Sequence, residues 1–172
     1  KALCRTKKPF PCKSTVILMR MLPLTQAQSR IWYAQKKIGD VRPFQIGGEV
    51  LLQGDVSLPR LCAAICRLVR ENEGLRLQFC ERKEGVMQFV ADAEAVVESM
   101  DFSQSSDPME EYRVWARMQL QIPFVLVDAP LHAFTVFRLT PGRTGYFIRL
   151  HHLVADGWSV ELITRRIAEI YE

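Results

Sequence analysis

The chain has 172 residues, of which 48% are hydrophobic and 24% charged, and its formal net charge is +4. This length is typical of one domain, and the composition excludes disorder of the whole chain, which requires low hydrophobicity and high net charge. The apolar runs are far shorter than the ~20 residues of a membrane-spanning helix, so no membrane span or membrane partner is expected.

The positive charge is concentrated at the start of the chain. Residues 21–172 contain 17 basic and 19 acidic residues, a balance of −2, and they lack the basic, aromatic-interleaved face of a nucleic-acid binder. We therefore interpret residues 1–21 as a basic leader, a linker or a cloning remnant, and residues 22–172 as the folded unit. The first 20 residues include six basic residues and no acidic one: Lys1, Arg5, Lys7, Lys8, Lys13 and Arg20.

Capping residues and hydrophobic periodicity predict the elements of the first half of the chain. In chain order these are a helix capped by Thr25 and Gln28 and ended by Gly39, a β-like stretch over 45–53 broken by Gly47-Gly48, a helix capped by Ser57, a hairpin of residues 75–80 and 87–91, and a short strand near 96–97.

The second half continues the alternation of helices and strands. Asp107 and Pro108 begin a third helix, two antiparallel strands follow over 131–139 and 146–152, and a final helix carries Val160, Ile163, Ile167 and Ile170 on one face. This alternation implies a layered α/β domain.

The cysteines point to neither a disulfide framework nor a zinc site. Their number is odd and no C-x-x-C pair occurs; they stand at positions 4, 12, 62, 66 and 80. Cys62 and Cys66 lie in an apolar helical stretch, where a small buried side chain is the expected role. Reduced thiols are consistent with a cytoplasmic protein.

The histidines are the candidate residues for chemistry, and they stand at positions 132, 151 and 152. His132 is alone in a strand-like run, and we expect it to be a hydrogen-bonded structural residue. Strand alternation places His152 on the face that packs inward, and His151 on the opposite face. Asp156 is expected to brace a tight loop, in which Gly157 permits an unusual backbone angle or the close approach of a ligand.

Spacing alone leaves three interpretations of this histidine pair open. The first is a structural loop held by Asp156. The second is a metal site, which is disfavoured because adjacent strand residues point to opposite faces. The third is an acid/base or orienting histidine at the mouth of a substrate channel, since a neutral imidazole exchanges protons near pH 7.

Three segments, in the right order, resemble conserved motifs of the condensation domains of nonribosomal peptide synthetases, which belong to the chloramphenicol acetyltransferase-like superfamily. Residues 151–157 (HHLVADG) match the motif H-H-x-x-x-D-G. Residues 24–32 (LTQAQSRIW) resemble S-x-A-Q-x-R-L-W, with Thr in place of Ser. Residues 72–79 (NEGLRLQF) resemble R-H-E-x-L-R-T-x-F, whose leading Arg and His are Glu71 and Asn72 here.

This resemblance implies a layered α/β sandwich, with helices packed on a mixed sheet. Family members are pseudo-dimers of two similar lobes in a V, with the active site in a tunnel between them. The resemblance covers about residues 22–172, which correspond to the N-terminal lobe. The C-terminal lobe of the same domain is thus an expected partner, and we expect the isolated lobe to be inactive.

The resemblance also implies an activity, the formation of an amide between a donor acyl or peptidyl thioester and an acceptor aminoacyl amine. Both substrates are attached to the phosphopantetheine arms of donor and acceptor peptidyl carrier domains, so no directly bound cofactor and no metal is expected. A neighbouring adenylation domain, a cytoplasmic location and a role in antibiotic or siderophore biosynthesis are implied in the same way.

The motif match assigns roles to five residues. His152, the second histidine, is the expected catalytic residue; it deprotonates the attacking ammonium, or positions the amine and stabilises charge in the tetrahedral intermediate. His151, Asp156, Gly157 and Arg76 are expected to support it. Asp156 would ion-pair with Arg76 or with an arginine of the other lobe, and Gly157 would present its backbone N–H near the reacting centre.

Two other functions stay open. A free-standing acyltransferase of the same superfamily would share the fold and the histidine motif. A fragment that only binds carrier domains, without chemistry, would need no complete tunnel. Among the related subfamilies, heterocyclisation domains carry aspartates in place of the two histidines, and epimerisation domains tend to continue as D-G-V-S-W, whereas this chain has DGWS.

Overall fold

A computed structural model describes residues 20–40, 42–92 and 95–172. Residues 1–19, and with them nearly all of the predicted leader, lie outside the described residues. The helices and strands of the described residues are, in chain order, β1 (Leu22–Pro23), α1 (Gln26–Ile38), β2 (Gln45–Gln53), α2 (Leu58–Glu71), β3 (Leu77–Arg82), β4 (Gly85–Val90), β5 (Val97–Asp101), α3 (Pro108–Gln119), β6 (His132–Thr140), β7 (Arg143–His151) and α4 (Gly157–Tyr171). Within these residues, no helix combines the length and the apolarity that crossing a membrane demands.

The strands form two sheets. The larger sheet has the order β2-β7-β6-β5; β5 runs parallel to β6, and the other neighbours are antiparallel. The smaller sheet has the order β1-β4-β3 and is antiparallel throughout. A mixed α/β architecture with helices on a mixed sheet was expected, and it is confirmed.

Helices cover both faces of the larger sheet, so that its central strands are buried on both sides. Tyr146, Ile148 and Leu150 of β7 face one core cluster, to which α2 and α4 contribute. Phe147, between them in sequence, belongs to a second cluster that includes Tyr112 of α3. Alternate residues of β7 therefore pack against different helices, as the period of a strand requires.

A third core cluster connects α1 and the smaller sheet to the segment that follows β7. It contains Trp32 of α1, Phe79 of β3, Leu131 and Leu153. All four side chains are buried. Because Leu153 follows the histidine pair directly, this cluster fixes the end of β7 against α1.

Local sequence signals account for most element boundaries. The capping box of Thr25 and Gln28 begins α1, and Gly39 ends it in the left-handed conformation with φ 73°. Ser57 and Asp107 cap α2 and α3 as predicted. The hairpin is also confirmed, as β3 and β4.

The expected break at Gly47-Gly48 is wrong, because β2 runs without interruption and pairs with β7 along its whole length. Gly47 leaves room there for a neighbouring side chain. A Cβ atom at this position would lie 2.2 Å from Cδ2 of Leu120, which packs across the strand just after α3. The glycine thus marks a close approach of neighbouring structure and does not mark a turn.

Candidate active site

His151 is the last residue of β7, and its ring is enclosed. The side chain is 1% exposed. Its ring centroid lies 6.5 Å from that of Phe44, in a stacked arrangement, and 6.1 Å from that of Phe124, edge to face. Both ring nitrogens have partners: Nε2 lies 2.7 Å from Oε1 of Gln35, and Nδ1 accepts from the backbone N–H of Leu153 at 3.1 Å.

These two hydrogen bonds define the protonation state of His151. Because Nδ1 accepts from an N–H, the ring proton must be on Nε2, from where it is donated to Gln35. Burial, together with the electrostatic effect of the neighbouring His152, lowers the pKa of His151 to about 4. The imidazole of His151 is therefore neutral near pH 7, and it holds the turn that follows β7.

His152 lies just beyond the strand, in a different environment. Its backbone N–H donates to the Phe44 carbonyl at 2.9 Å, which fixes the main chain. The side chain is half-buried, and among the described residues no hydrogen bond of its ring is found. Of the two histidines, His152 is the one whose ring nitrogens remain available to another molecule.

The residues of β7 alternate between two faces as predicted. The prediction that His152, and not His151, lies on the inward face is wrong. His151 does share a face with Phe147, yet that face is also buried, because α3 and the segment after it cover it. His152 does not continue the inward face, since β7 ends at His151. The ring sealed in the interior is therefore that of His151.

Asp156 begins α4 as its N-cap. Oδ1 of its carboxylate accepts from the backbone N–H of Ser159 at 2.8 Å and from the Ser159 hydroxyl at 2.6 Å, and Ser159 Oγ accepts in turn from the Asp156 N–H. These hydrogen bonds to Ser159 lower the pKa of the Asp156 carboxyl. The predicted bracing role thus takes the form of a capping box.

The expected pairing of Asp156 with Arg76 is not present within the described part of the chain. Nη1 of Arg76 donates to the Ala91 carbonyl at 3.1 Å, and its Nε is buried without a hydrogen-bond partner. The guanidinium therefore connects the start of β3 to the end of β4. Asp156 is exposed, and its carboxylate is already satisfied by Ser159.

Gly157 is the first residue of α4. Of the two possibilities that the sequence left open, an unusual backbone angle is not observed. Its φ is not positive, and a Cβ atom at this position would meet nothing within 4 Å. The open space beside it is compatible with the approach of another molecule. As a residue of the first helical turn, its N–H has no acceptor within the helix.

Residues 19–172 match the family model described as Condensation domain. The chain belongs to the condensation-domain family. Among curated relatives, it is 30% identical over 149 residues to a dimodular nonribosomal peptide synthase of Bacillus subtilis (strain 168), and 32% identical over 154 residues to enterobactin synthase component F of Escherichia coli (strain K12). These alignments cover 86% and 87% of the chain, but only 6% and 12% of the relatives.

Solved condensation domains have the same fold. The starter condensation domain of rhizomide synthetase RzmA superimposes with a TM-score of 0.83 at 27% identity, over 88% of this chain and 37% of that chain. The first condensation domain of the calcium-dependent antibiotic synthetase, in complex with a substrate analogue, gives a TM-score of 0.76 at 26% identity, over 87% and 37% of the two chains. The chain thus spans little more than a third of a condensation-domain structure.

Removal of the Asp156 carboxylate is expected to destabilise this condensation-domain chain. Asp156→Ala deletes the N-cap of α4, so we expect the melting temperature to fall by about 2–4 °C. Asp156→Asn is the matched control, since asparagine caps helices as well as aspartate and should largely preserve the melting temperature. An unchanged melting temperature in the alanine variant, measured by circular dichroism, would contradict the bracing role.

The structure adds a residue that the sequence did not single out. Gln35 of α1 is buried and hydrogen-bonded to His151. A signal was present, because Gln35 follows Gln28 of the first condensation motif by seven residues, or two helical turns, and shares its face of α1.

His132 has the structural role that was expected. Its Nδ1 lies 2.8 Å from the Leu75 carbonyl, and burial lowers the pKa of its imidazole. His132 and Arg149 also line a cavity of about 330 Å³ on the larger sheet. His152 is not among the residues that line this cavity.

Proposed function

We propose that the chain is the N-terminal lobe of a peptide-bond-forming condensation domain in a nonribosomal peptide synthetase, with residues 22–172 as the lobe and residues 1–21 as a leader or linker. Membership of the family and the fold support this proposal. So does the match to 37% of the RzmA condensation-domain chain, which is less than half of that chain, as a single lobe would be.

The reaction in this proposal is the transfer of an acyl group from sulfur to nitrogen. The acceptor amine attacks the carbonyl carbon of the donor thioester, a C–N bond forms, the C–S bond breaks, and the departing sulfur takes up a proton as a thiol. Donor and acceptor are delivered on phosphopantetheine arms by peptidyl carrier domains, in a cytoplasmic synthetase that also contains an adenylation domain. Holding two tethered reactants in line can supply roughly 7–11 kcal/mol of the acceleration.

One observation carries the assignment of His152, namely the division of roles between the two neighbouring imidazoles. His151 is enclosed and uses both of its ring nitrogens within the chain. His152 is half-buried just beyond the end of that strand, and its main chain is fixed by the Phe44 carbonyl. This division supports a role of His152 towards the substrate and a structural role of His151.

The remaining residues of the motif support His152 in this proposal. Asp156 fixes the first turn of α4, and Gly157 beside it has open space where a Cβ atom would lie and a backbone N–H without an acceptor in the helix. Trp158, the next residue, is 66% exposed, which is consistent with a face of the molecule that the second lobe covers. Arg76 supports the site indirectly, because its bond to the Ala91 carbonyl joins β3 to β4, and Phe79 of β3 packs in one cluster with Leu153.

A comparison between the isolated chain and the complete domain tests the proposal. With an acyl-loaded donor carrier and an aminoacyl-loaded acceptor carrier, we expect amide product from a domain that contains both lobes, and negligible product from the 172-residue chain alone. Mass spectrometry of the acceptor carrier measures the product. Robust amide formation by the isolated chain would contradict the need for a second lobe, and no product from the two-lobed domain would contradict the condensation function.

A further inference from the structure

Two glutamines of α1 contact the residues on either side of His152. Oε1 of Gln35 lies 2.7 Å from Nε2 of His151, and Nε2 of Gln28 lies 3.3 Å from the Leu153 carbonyl oxygen. Gln28 is itself held by Oε1 of Gln88, at 2.9 Å. The turn that carries His152 is therefore attached to one helix at both of its ends.

The His151 ring links the two attachments. It donates from Nε2 to Gln35 and accepts at Nδ1 from the N–H of Leu153. This chain of hydrogen bonds requires the tautomer with the proton on Nε2, because protonation of Nδ1 would bring two donors together. A carboxamide oxygen at position 35 accepts from Nε2 without favouring the imidazolium, whereas a carboxylate there would stabilise the charged ring.

The groups around His151 are mostly neutral. The neighbouring segments present the rings of Phe44 and Phe124, and α1 presents the neutral Gln35. The nearby titratable or cationic groups are His152, next in the chain, and Arg149, whose guanidinium carbon lies 4.6 Å from the centroid of the Phe124 ring. Arg42, which precedes Phe44, is exposed and paired with Asp40.

We propose that Gln35 is a positioning residue for amide formation, which acts through the His151 ring to hold the 151–153 turn, and with it His152, in the reactive arrangement. This inference rests on the proposed function of His152. Gln35 is 8% exposed and contacts His151 rather than the open side of His152. Its effect should therefore appear in kcat and leave the KM for loaded carriers unchanged.

The first measurement concerns the 172-residue chain itself and needs no activity. Nitrogen-15 NMR of the imidazole rings should show His151 protonated on Nε2 and unprotonated on Nδ1 between pH 5.5 and pH 8. In the Gln35→Glu variant, we expect Nδ1 of His151 to become protonated at the acidic end of this range. Gln26→Glu, the same change at an exposed position of α1, should leave the His151 spectrum unaltered. A proton on Nδ1 of His151 in the wild-type chain would overturn the inference.

The second measurement is turnover in the complete condensation domain with loaded carriers. Relative to wild type at the same pH, Gln35→Glu should lose at least tenfold in kcat near pH 6 and recover most of it near pH 8.5, with KM within twofold. Gln35→Met, which removes the hydrogen-bond acceptor and adds no charge, should have a lower kcat than wild type at every pH. This variant tests the inference if Gln35→Glu does not fold. Gln26→Glu should match wild type throughout.

The outcomes separate this inference from the function on which it rests. If His152→Ala abolishes turnover and both Gln35 variants turn over normally, Gln35 is not a positioning residue and the condensation function stands. If His152→Ala turns over normally, the role of His152 fails, and the positioning proposal fails with it. A loss in Gln35→Glu that does not depend on pH would show that the His151 tautomer is not the link.

Discussion

His152→Ala, introduced into the complete condensation domain, is expected to reduce kcat by about 10²–10⁴-fold, the usual contribution of a positioned acid/base side chain. The fold should survive, because the ring is half-buried and, within the described residues, makes no hydrogen bond of its own. Turnover with loaded carriers and the melting temperature are the two measurements. The combination of lost turnover and a nearly unchanged melting temperature is the expected result.

His132→Gln is the matched control for this experiment. It replaces another histidine of the same chain. His132 lies at the start of β6 and is hydrogen-bonded to the Leu75 carbonyl. We expect the control to lower the melting temperature and to leave turnover close to wild type. Near-normal turnover of His152→Ala would overturn the assignment of His152.

The pH dependence of the His152→Ala defect distinguishes the two actions considered for this residue. If His152 deprotonates the attacking ammonium, the defect should shrink as the pH rises, because the acceptor amine then loses its proton to solvent. If His152 instead positions the amine and stabilises charge in the tetrahedral intermediate, the defect should persist at high pH.

The fold was predictable where local signals act alone. Thr25, Ser57 and Asp107 are side chains that satisfy the first N–H groups of a helix, and each begins a helix as expected. Gly47 shows the limit of such signals. The sequence predicted a break at this glycine, but it lies inside β2. The residue it makes room for, Leu120, is 73 residues later in the chain, so no local pattern connects the two.

The site was predictable as a motif but not as an arrangement. The spacing of His151, His152 and Asp156 identified the segment, yet alternation along β7 could not show that both faces of the strand are covered. Burial of His151 depends on Phe44 and Phe124, which no local pattern connects to it. The roles of the two histidines can therefore be assigned only when the residues that cover each side of the larger sheet are known.

This burial makes the stability of the chain dependent on pH. The pKa of His151 is about 4 in the folded chain, against 6.5 for an exposed histidine. The unfolded chain therefore binds a proton that the folded chain excludes, so the stability contributed by neutral His151 is complete above about pH 6.5 and is lost as the pH falls towards 4. We expect the free energy of unfolding to fall by about 2 kcal/mol between pH 7 and pH 4.5 on account of His151 alone.

Urea denaturation of the 172-residue chain at a series of pH values measures this dependence. His151→Phe keeps an aromatic ring between Phe44 and Phe124 but cannot titrate, so it should be less stable at pH 7 and lose much less stability on acidification. His132, whose pKa burial also lowers, adds to the slope in the same direction, and His132→Gln measures its share. A slope in His151→Phe as steep as that of wild type would show that His151 is not the group that the fold keeps neutral.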